Sequence, residues 1–441
     1  MHKKLLLISH NALSFQSNNG KTLSSMFKDW PSANFAHLYL SNELPESNTF
    51  SNFFKLNDFD VISFLLHFKL QNCCGEVYKH TISDSSGRNK LEPSTNSKVK
   101  NLLLKTARRN GLLKLLIRNI LYGNSNWCSK NLIEWIDSFR PDLIFFVGGD
   151  AVFSFKIASY LSRKYEVPLH IYITDDYVIS ADRNSFLKRY IHNQLLKTYR
   201  AHFAIAREVF VIGDEMSFAF EKLFSRKFFP IMNSIEFPKE FVVRRRNFNI
   251  PNYSIDVVYA GGLHLNRGGS LMKVASLFKQ VSASLLVSIK LSVYTVDSPD
   301  HETIERFKLE GIVFCGGLDA AKLSDRLKVA DFLLHVESIE PAERRKTRYS
   351  VSTKIPEYLA SGVCIIAFGP AEAASIRLIK NNGIGLALTD CDDEASMQAK
   401  LQDLVDNPIK RADIALLGGS FAASRFNGKQ VREMLFSILH R

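Results

Sequence analysis

One stretch of the chain predicts a strand, a helix and a second strand in succession, and this unit constrains the fold more than any other feature. An apolar run from Asp142 to Val147 leads into Gly148-Gly149-Asp150. A helical pattern then continues to Arg163, and residues 168–174 are apolar again. Because a crossover of this kind joins parallel strands, the unit predicts an α/β protein with a parallel sheet.

The same alternation of apolar runs and helical patterns recurs in both halves of the chain. Residues 3–9 and 208–213 are strand-like in the first half, and residues 256–260 open the second half. Further strand-like runs follow at 285–295, 313–317, 331–336 and 383–388. At 441 residues the chain is long enough for two lobes, each with its own core.

The change of pattern between the halves predicts the domain organisation. We predict a first lobe over residues 1–236, a linker over 237–255 and a second lobe over 256–425. The linker is indicated by its Pro and Asn residues and by the run Arg244-Arg245-Arg246. Residues 426–441 predict a C-terminal helix that packs back on the first lobe.

Composition narrows the class of protein and its partners. The hydrophobic content of 46% excludes a disordered chain, and the formal net charge of +13 indicates an anionic partner. Acidic lipid, a phosphorylated substrate and nucleic acid all fit this charge. Nucleic acid is the least supported of the three, because no zinc-finger, RRM or KH pattern is present and basic residues do not alternate regularly with aromatic ones.

Two further observations bear on the compartment. No apolar run reaches the roughly 20 residues of a membrane span, and the apolar run within residues 1–10 is too short for a signal-peptide core. The six cysteines form no CxxC pair, which favours a reducing cytoplasm and no structural zinc. We therefore expect a cytoplasmic protein.

The segment from Ser352 to Pro370 predicts a loop, a short helix and a buried strand. Ser352 and Thr353 suit a helix N-cap, and Gly362 suits the end of the helix. A helix start attracts anions, Lys354 adds a positive charge there, and Glu357 one turn later suits the hydroxyls of a sugar. The pattern fits a nucleotide diphosphate, although a capped surface helix has the same pattern and is far commoner.

Two other strand ends carry polar loops. Residues 256–269 run from a strand into Gly261-Gly262 and then Arg267-Gly268-Gly269, where glycines allow a diphosphate to approach the backbone and Arg267 supplies charge. Asp175 and Asp176 follow a strand of the first half. They suit either a substrate hydroxyl or the capping of a helix, and the sequence does not choose between these roles.

The loop after the first strand is a candidate for substrate contact. It contains His10 and the run Asn18-Asn19-Gly20, and a helical pattern follows. An ordinary connection between a strand and a helix is the alternative, with about even odds. Gly20-Lys21-Thr22 resembles the end of a P-loop, but no glycine stands five residues before it, so we exclude an NTPase.

Four ordered blocks in the second half resemble the GT-B glycosyltransferases, and in particular the family 4 type of bacterial polysaccharide assembly. The blocks are Tyr259 to Leu263 with Arg267-Gly268, then Phe314 to Gly317, then Ala330-Asp331, and then Ser352 to Gly362. The first half matches more loosely, through Asn18-Asn19-Gly20 and Asp175-Asp176-Tyr177. The resemblance implies an α/β fold of two Rossmann-like lobes, with parallel sheets, that face each other across a cleft.

The resemblance also implies residue roles in a nucleotide-sugar site on the second lobe. Arg267 stands where a phosphate-binding Lys is usual, Lys354 lies near the diphosphate, and Glu357 takes the ribose-binding position. Residues near these three complete the implied donor site, namely Gly262, Ser352 and Thr353.

Two positions depart from the family pattern. The usual Arg of the family falls on Gly262, and the first Glu of its paired-Glu motif falls on Tyr349. A basic insert at 343–348 precedes the site, so Glu340 or Glu337 is expected to supply the missing carboxylate from a longer loop. With Asp175 and Asp176, Glu340 forms the predicted catalytic set.

No metal and no cofactor are predicted, since a nucleotide sugar would be a substrate. Asp390-Cys391-Asp392 imitates the metal-binding DxD of the other glycosyltransferase fold. It follows a late strand in a polar loop, and we interpret it as a solvated turn.

These observations predict a glycosyltransferase that moves a sugar from a nucleotide-sugar donor to a lipid-linked or saccharide acceptor. The alternatives are a nucleotide-sugar epimerase of the same fold and a catalytically silent binding module. The stretch from Lys98 to Tyr122 is amphipathic and basic. It predicts either a core-facing helix, which we slightly favour, or peripheral docking on the inner face of an anionic membrane.

Overall fold

The computed structural model describes residues 2–15, 18–56, 58, 61, 75–76, 111–123, 127–244, 248 and 253–441. The chain divides into two compact units. Unit 1 comprises Met1–Val211, Ser217–Pro230 and Phe436–Arg441, and unit 2 comprises Ile212–Met216 and Ile231–Leu435. The last residues of the chain therefore belong to unit 1, where Phe436 packs against Trp30 with ring centroids 4.8 Å apart.

Unit 1 is built around one eight-stranded sheet. Its strands are β1 (Leu5–Ser9), β2 (Phe35–Tyr39), β3 (Phe53–Lys55), β4 (Gly75–Glu76), β5 (Leu143–Gly148), β6 (Leu169–Ile173), β7 (Glu208–Val211) and β8 (Phe229–Pro230). They lie in the order β4-β3-β2-β1-β5-β6-β7-β8. All neighbours pair in parallel except β3 and β4, which are antiparallel.

Helices connect these strands. They are α1 (Asn18–Phe27), α2 (Gly111–Leu121), α3 (Lys130–Phe139), α4 (Val152–Tyr165), α5 (Phe186–Ile205) and α6 (Asp214–Phe224), with a short 3-10 helix at Ser32–Asn34. Strand β1 is buried along its whole length, as its continuous apolar run requires in a sheet covered on both faces. The predicted unit from Asp142 to Thr174 is confirmed as β5, α4 and β6.

Unit 2 contains a six-stranded sheet that is parallel throughout. Its strands are β9 (Ser254–Ala260), β10 (Ser288–Tyr294), β11 (Ile312–Gly316), β12 (Phe332–Val336), β13 (Cys364–Gly369) and β14 (Leu386–Thr389). Their order is β11-β10-β9-β12-β13-β14.

The helices of unit 2 follow the same alternation. They are α7 (Arg267–Leu285), α8 (His301–Leu309), α9 (Ala320–Val329), α10 (Pro341–Thr347), α11 (Lys354–Ala360), α12 (Ala374–Asn382), α13 (Glu394–Asp406), α14 (Pro408–Arg425) and α15 (Gly428–Leu439), the last of which ends in unit 1. The predicted helix end at Gly362 is confirmed, because Gly362 follows α11 with a φ of +74°.

Each sheet has one place where the strand order reverses. In unit 1 the chain moves outward from β1 through β2 and β3 on one side and from β5 to β8 on the other. In unit 2 the reversal lies between β9 and β12. Ligands of open α/β sheets bind outside the carboxyl ends of the strands at such a point, so these two places are the candidate sites of the fold.

Two sequence predictions concern membranes: the docking of the basic stretch from Lys98 to Tyr122, and the absence of a membrane-spanning segment. Residues 98–110 of the basic stretch lie outside the described residues, and α2 covers its end, with the side chain of Ile120 74% exposed. Within the part of the chain that the structure describes, no helix is long and apolar enough to cross a bilayer.

Two histidines are buried in the sheet of unit 1. His37 on β2 accepts or donates one hydrogen bond, between its Nε2 and the hydroxyl of Ser9 at 2.8 Å. His170 on β6 has no hydrogen-bond partner for either ring nitrogen among the described residues. Burial lowers the pKa of each histidine to about 3, since a charged imidazole would lose its hydration there.

The stability of the protein should therefore fall on acidification. The unfolded chain takes up protons near pH 6.5 while the folded histidines stay neutral, so the free energy of unfolding decreases as the pH drops from about 6.5 towards 3. Each histidine contributes a slope of about 1.4 kcal/mol per pH unit well below pH 6.5. In urea denaturation between about pH 5.5 and about pH 4.5, His170→Leu should show a slope shallower by about that amount. An unchanged slope would contradict this assignment.

Candidate functional site

The loop after β9 lies at the strand reversal of unit 2 and has a fixed backbone. The hydroxyl of Tyr259 donates to the carbonyl of Gly262 at 2.7 Å. The N–H of Leu263 donates to the Asp297 carboxylate at 2.6 Å. Leu265 and Asn266 then adopt left-handed backbone conformations, with φ of 58° and 55°. Two consecutive non-glycine residues keep a left-handed backbone only when the surrounding structure holds them in it. Such conformations are common where backbone groups bind a ligand.

Helix α7 follows this loop directly, and its first residue is Arg267. The hydroxyl of Ser270 donates to the carbonyl of Glu337 at 2.9 Å, which ties the first turn of α7 to the end of β12. The first N–H groups of a helix have no partner within it and carry a partial positive charge. The start of α7 therefore presents an anion-binding end at the strand reversal.

A buried carboxylate stands beside this helix start. Glu337 follows β12 directly and is 1% exposed. Its Oε2 lies 3.1 Å from Nη2 of Arg267, whose side chain is 15% exposed. On the other side, Nε2 of His335 lies 3.2 Å from Oε1 of Glu337, although the two atoms are poorly aligned for a hydrogen bond. Arg267, Glu337 and His335 form the Glu337 cluster.

The Glu337 cluster holds a negative charge where burial alone would remove it. Burial raises the pKa of Glu337, but the contact with His335 and the charge of Arg267 outweigh burial, so the pKa lies below its usual range. For Arg267, burial favours the neutral form, and the charge of Glu337 reverses this and raises its pKa. The pair is therefore ionised, and Arg267 reaches the site with part of its charge already neutralised.

Gly262 and His264 lie close together in the loop before α7. A Cβ atom on Gly262 would collide with the imidazole ring of His264, so a side chain there would require His264 to move. Nε2 of His264 lies 3.3 Å from Nη1 of Arg267. The space beside Gly262 is thus occupied by an exposed histidine in contact with Arg267.

Helix α11 is fixed to the end of β9 by a single buried hydroxyl. Tyr358 accepts from the N–H of Ala260 at 2.8 Å and donates to the carbonyl of the same residue at 3.2 Å. Lys354 lies one turn earlier on α11, and its Nζ is 3.6 Å from Oε2 of Glu357. The two predicted donor-binding side chains are therefore next to each other, each partly buried.

The predicted N-cap residues of α11 behave differently from a standard cap. Thr353 has a helical backbone and makes no side-chain hydrogen bond to the helix. The Ser352 hydroxyl accepts from the N–H of Lys354 at a long 3.4 Å, and its own N–H donates to Ser375 at 3.0 Å. Ser352 anchors the turn to α12 more firmly than it caps α11.

The structure separates the two carboxylates that were expected to replace the missing glutamate. Glu337 belongs to the buried cluster, whereas Glu340 is exposed and immediately precedes α10. Within α10, the Arg344 guanidinium binds Glu372 through two hydrogen bonds of 2.8 and 2.7 Å and lies 3.1 Å from Asp390. The basic insert therefore connects loops after β13 and β14.

The segment from Asp390 to Asp392 is a turn, as predicted, but its carboxylates are less solvated than expected. Asp390 pairs with Arg344 and accepts from the N–H of Ala371 at 3.0 Å. Asp392 accepts from the N–H and hydroxyl of Thr389 and pairs with Lys400 at 2.6 Å. The carboxylate oxygens of both residues therefore already contact donor groups of the protein itself.

The candidate residues of unit 1 lie at the carboxyl ends of its strands. His10 follows β1 and is exposed, and the run Asn18-Asn19-Gly20 forms the first turn of α1. Asp176 is buried and accepts three backbone N–H groups, from Val178, Ile179 and Ser180, at 2.7 to 2.9 Å. Residues 178–180 are not helical, so Asp176 caps no helix and instead fixes the backbone of the loop that follows β6.

Asp175 faces a different environment from Asp176. The hydroxyls of Thr174 and Tyr177 donate to its Oδ2 at 3.2 and 3.5 Å. Burial, followed by the charge of Asp175, raises the pKa of Tyr177, so Tyr177 stays a hydrogen-bond donor at physiological pH. Asp175 thus lies beside two hydroxyl donors, just after the carboxyl end of β6.

Three functional side chains of unit 2 were not predicted as such. His335 lies inside a buried strand, Asp297 stands two residues after Thr295 in a polar loop, and Tyr358 was interpreted only as part of an apolar helix face. Asp297 had a usable signal, because it follows the end of a strand. His335 had none because it is part of an apolar strand pattern, and Tyr358 had none because its partner Ala260 is 98 positions away.

Comparisons with known proteins identify the fold. No protein-family model and no curated protein matches the chain. Among solved structures, sucrose-phosphate synthase from Thermosynechococcus elongatus is 11% identical with a TM-score of 0.62, and the match covers 99% of this chain and 98% of that one. WaaG, a glycosyltransferase involved in lipopolysaccharide biosynthesis, is 12% identical with a TM-score of 0.55 and 99% of both chains covered.

A third structure, from E. coli and described as trehalose-6-phosphate bound with UDP-2-fluoro glucose, is 11% identical with a TM-score of 0.60 and 99% of both chains covered. These neighbours are GT-B glycosyltransferases. The chain has the GT-B fold. At such low identity the likeness shows the fold alone, and the predicted fold class, two Rossmann-like lobes with parallel sheets, is confirmed.

The ion pair at the centre of this GT-B unit should show strong coupling. Glu337→Leu would leave Arg267 buried without its partner, which costs about 3 kcal/mol of unfolding free energy. The double variant Glu337→Leu/Arg267→Met removes both charges, so its loss should be smaller than the sum of the single losses by more than about 1 kcal/mol. Chemical denaturation of the four proteins measures this difference.

The exposed pair of Lys308 and Glu305, 2.7 Å apart, provides the matched control. Its coupling should stay below about 1 kcal/mol. Additive losses at Glu337 and Arg267 would show that the two side chains do not depend on each other.

Proposed function

We propose that the protein is a family 4-like glycosyltransferase that moves a sugar from a nucleotide-sugar donor to a lipid-linked or saccharide acceptor in cell-surface polysaccharide assembly. One observation carries the proposal. The strand reversal of unit 2 brings together the start of α7, a glycine-containing loop and Arg267. This combination suits the diphosphate of a nucleotide sugar.

The proposed chemistry is the stabilisation of a leaving group. As the bond from the sugar to the diphosphate breaks, negative charge grows on the diphosphate oxygens. The N–H groups at the start of α7, with Arg267 and Lys354, would bind this charge, and interactions that strengthen as charge develops lower the barrier. Gly262, Ser352 and Thr353 would line the donor site, and Glu357 would accept from the ribose hydroxyls.

In this proposal, side chains and backbone N–H groups neutralise the charge of the diphosphate, so no metal and no cofactor are required. Asp390 and Asp392 support this choice, because their oxygens already bind Arg344 and Lys400. In the same way Glu337 is committed to Arg267. Glu340 and Asp175 remain the proposed catalytic carboxylates, and the contacts of Asp176 favour a structural role for it.

On unit 1 we propose that the loop with His10 and the first turn of α1, with Asn18, Asn19 and Gly20, contact the acceptor. Their place at the reversal between β1 and β5 supports this assignment. The proposed location is the cytoplasm, with peripheral attachment to the inner membrane face.

A panel of nucleotide sugars tests the proposal. The protein should release nucleotide from at least one donor when an acceptor fraction is present, measured as free nucleoside diphosphate. Binding of a donor with no release and no isomerised sugar would favour a silent binding module. Conversion of the donor to an epimer, with the nucleotide still attached, would favour the epimerase.

Lys354 should contribute directly to binding of the diphosphate. Lys354→Ala should weaken binding of a nucleoside diphosphate by more than about 1.5 kcal/mol, the lower range for a charge-assisted hydrogen bond. Isothermal titration measures the change. Lys308→Ala is the control, since Lys308 is a 64% exposed lysine of the same unit that also pairs with a glutamate. Equal affinities of the two variants would remove Lys354 from the donor site.

A further inference from the structure

Helices α4 and α5 lie side by side in unit 1 and contain no acidic residue. The ring centroids of Phe155 and Tyr199 are 5.1 Å apart, and Nε2 of His202 lies 3.3 Å from the Ser159 hydroxyl. The basic residues of the pair are Lys156, Arg163, Lys164, Lys188, Arg189, Lys197 and Arg200. The charged residues of the two helices are therefore all basic, and they are distributed along both helices.

The outward side of α5 displays this charge along a stripe. Exposed residues recur every three or four positions, at Phe186, Tyr190, Asn193, Lys197 and Arg200, and Arg189 is exposed beside them. This spacing follows one side of a helix. Residues 186 to 200 span about 20 Å at about 1.5 Å per residue, so the stripe is long enough to lie along a surface.

The first turn of α5 adds an apolar end to the stripe. Phe186 is 80% exposed, Tyr190 is 49% exposed and Leu187 is 39% exposed. Ser185 caps the helix here by accepting from the N–H of Lys188, so the side chains project from an ordered helix start. A cluster of exposed apolar side chains next to Arg189 supports a contact with something outside unit 1.

The positive charges of α5 are largely uncompensated. Lys188 pairs with Asp182. In the described part of the chain, no carboxylate pairs with Arg189, Lys197 or Arg200. Beyond Arg200, a surface hollow of about 770 Å³ adds Arg226 and Lys227 beside Glu208, which continues the basic surface.

We propose that this α4–α5 face, defined by the basic residues of both helices and by Phe186, Leu187 and Tyr190, docks on an anionic lipid bilayer. Aromatic and leucine side chains enter the interface of a bilayer, and neighbouring Lys and Arg bind the acidic headgroups. A soluble polyanion would contact only the Lys and Arg side chains, so it would not account for the exposure of Phe186 and Leu187. The inference does not depend on the proposed transfer reaction, and the docking face is defined by residues of α4 and α5 alone.

Co-sedimentation of the full-length protein with vesicles tests the inference. Vesicles of phosphatidylcholine with phosphatidylglycerol should bind the protein in a salt-sensitive manner, and vesicles of phosphatidylcholine alone should bind it weakly. Replacing Arg189, Lys197 and Arg200 by Gln should weaken binding to the anionic vesicles on the order of a hundredfold, since each charge contributes about fivefold. Replacing Phe186 and Tyr190 by Ser should also weaken it.

A variant with the same change of charge provides the control. Lys308, Lys322 and Lys328 are partly or fully exposed lysines of unit 2, each beside a carboxylate, and their replacement by Gln should leave binding nearly unchanged. Circular dichroism checks that all variants are folded. Absence of binding to anionic vesicles, or equal losses in both triple variants, would overturn the proposal. Binding of an oligonucleotide through Arg189, Lys197 and Arg200 without binding of vesicles would overturn it in favour of a nucleic-acid surface.

Discussion

The contact between Glu337 and Arg267 is the interaction on which the candidate site depends. A carboxylate that is 1% exposed is stable only when charged partners replace the water it has lost. Arg267 is the charged partner on one side, and Nε2 of His335 lies 3.2 Å from Oε1 of Glu337 on the other. Because Arg267 is the first residue of α7 and Glu337 follows β12, the same contact sets the position of the helix start relative to the strand reversal.

A second constraint acts on the other side of β9. The Tyr358 hydroxyl makes hydrogen bonds with both the N–H and the carbonyl of Ala260, and these bonds fix the position of α11 along β9. Lys354 and Glu357 therefore take their positions from a buried tyrosine rather than from a helix cap. The two constraints fix both helix starts against the sheet of unit 2, and the proposed function depends on such fixed placement of charges.

The sequence predicted the architecture well because strands of a parallel sheet are continuous apolar runs. Residues 142–174 alone indicated the parallel sheet, and the glycine at 362 indicated where α11 ends. The contacts of the site were harder to predict, because they join residues far apart in the chain. Glu337 and Arg267 are 70 positions apart, and Tyr358 is 98 positions from Ala260. Arg267 did carry a local signal, its place after a glycine-containing loop.

The most direct test of this account is a crystal structure of the protein with a bound nucleoside diphosphate. The account predicts that the phosphates lie within hydrogen-bond distance of the first N–H groups of α7 and near Nζ of Lys354, with the ribose beside Glu357. A nucleotide bound away from the end of β9, or phosphates beyond the reach of both α7 and Lys354, would contradict it.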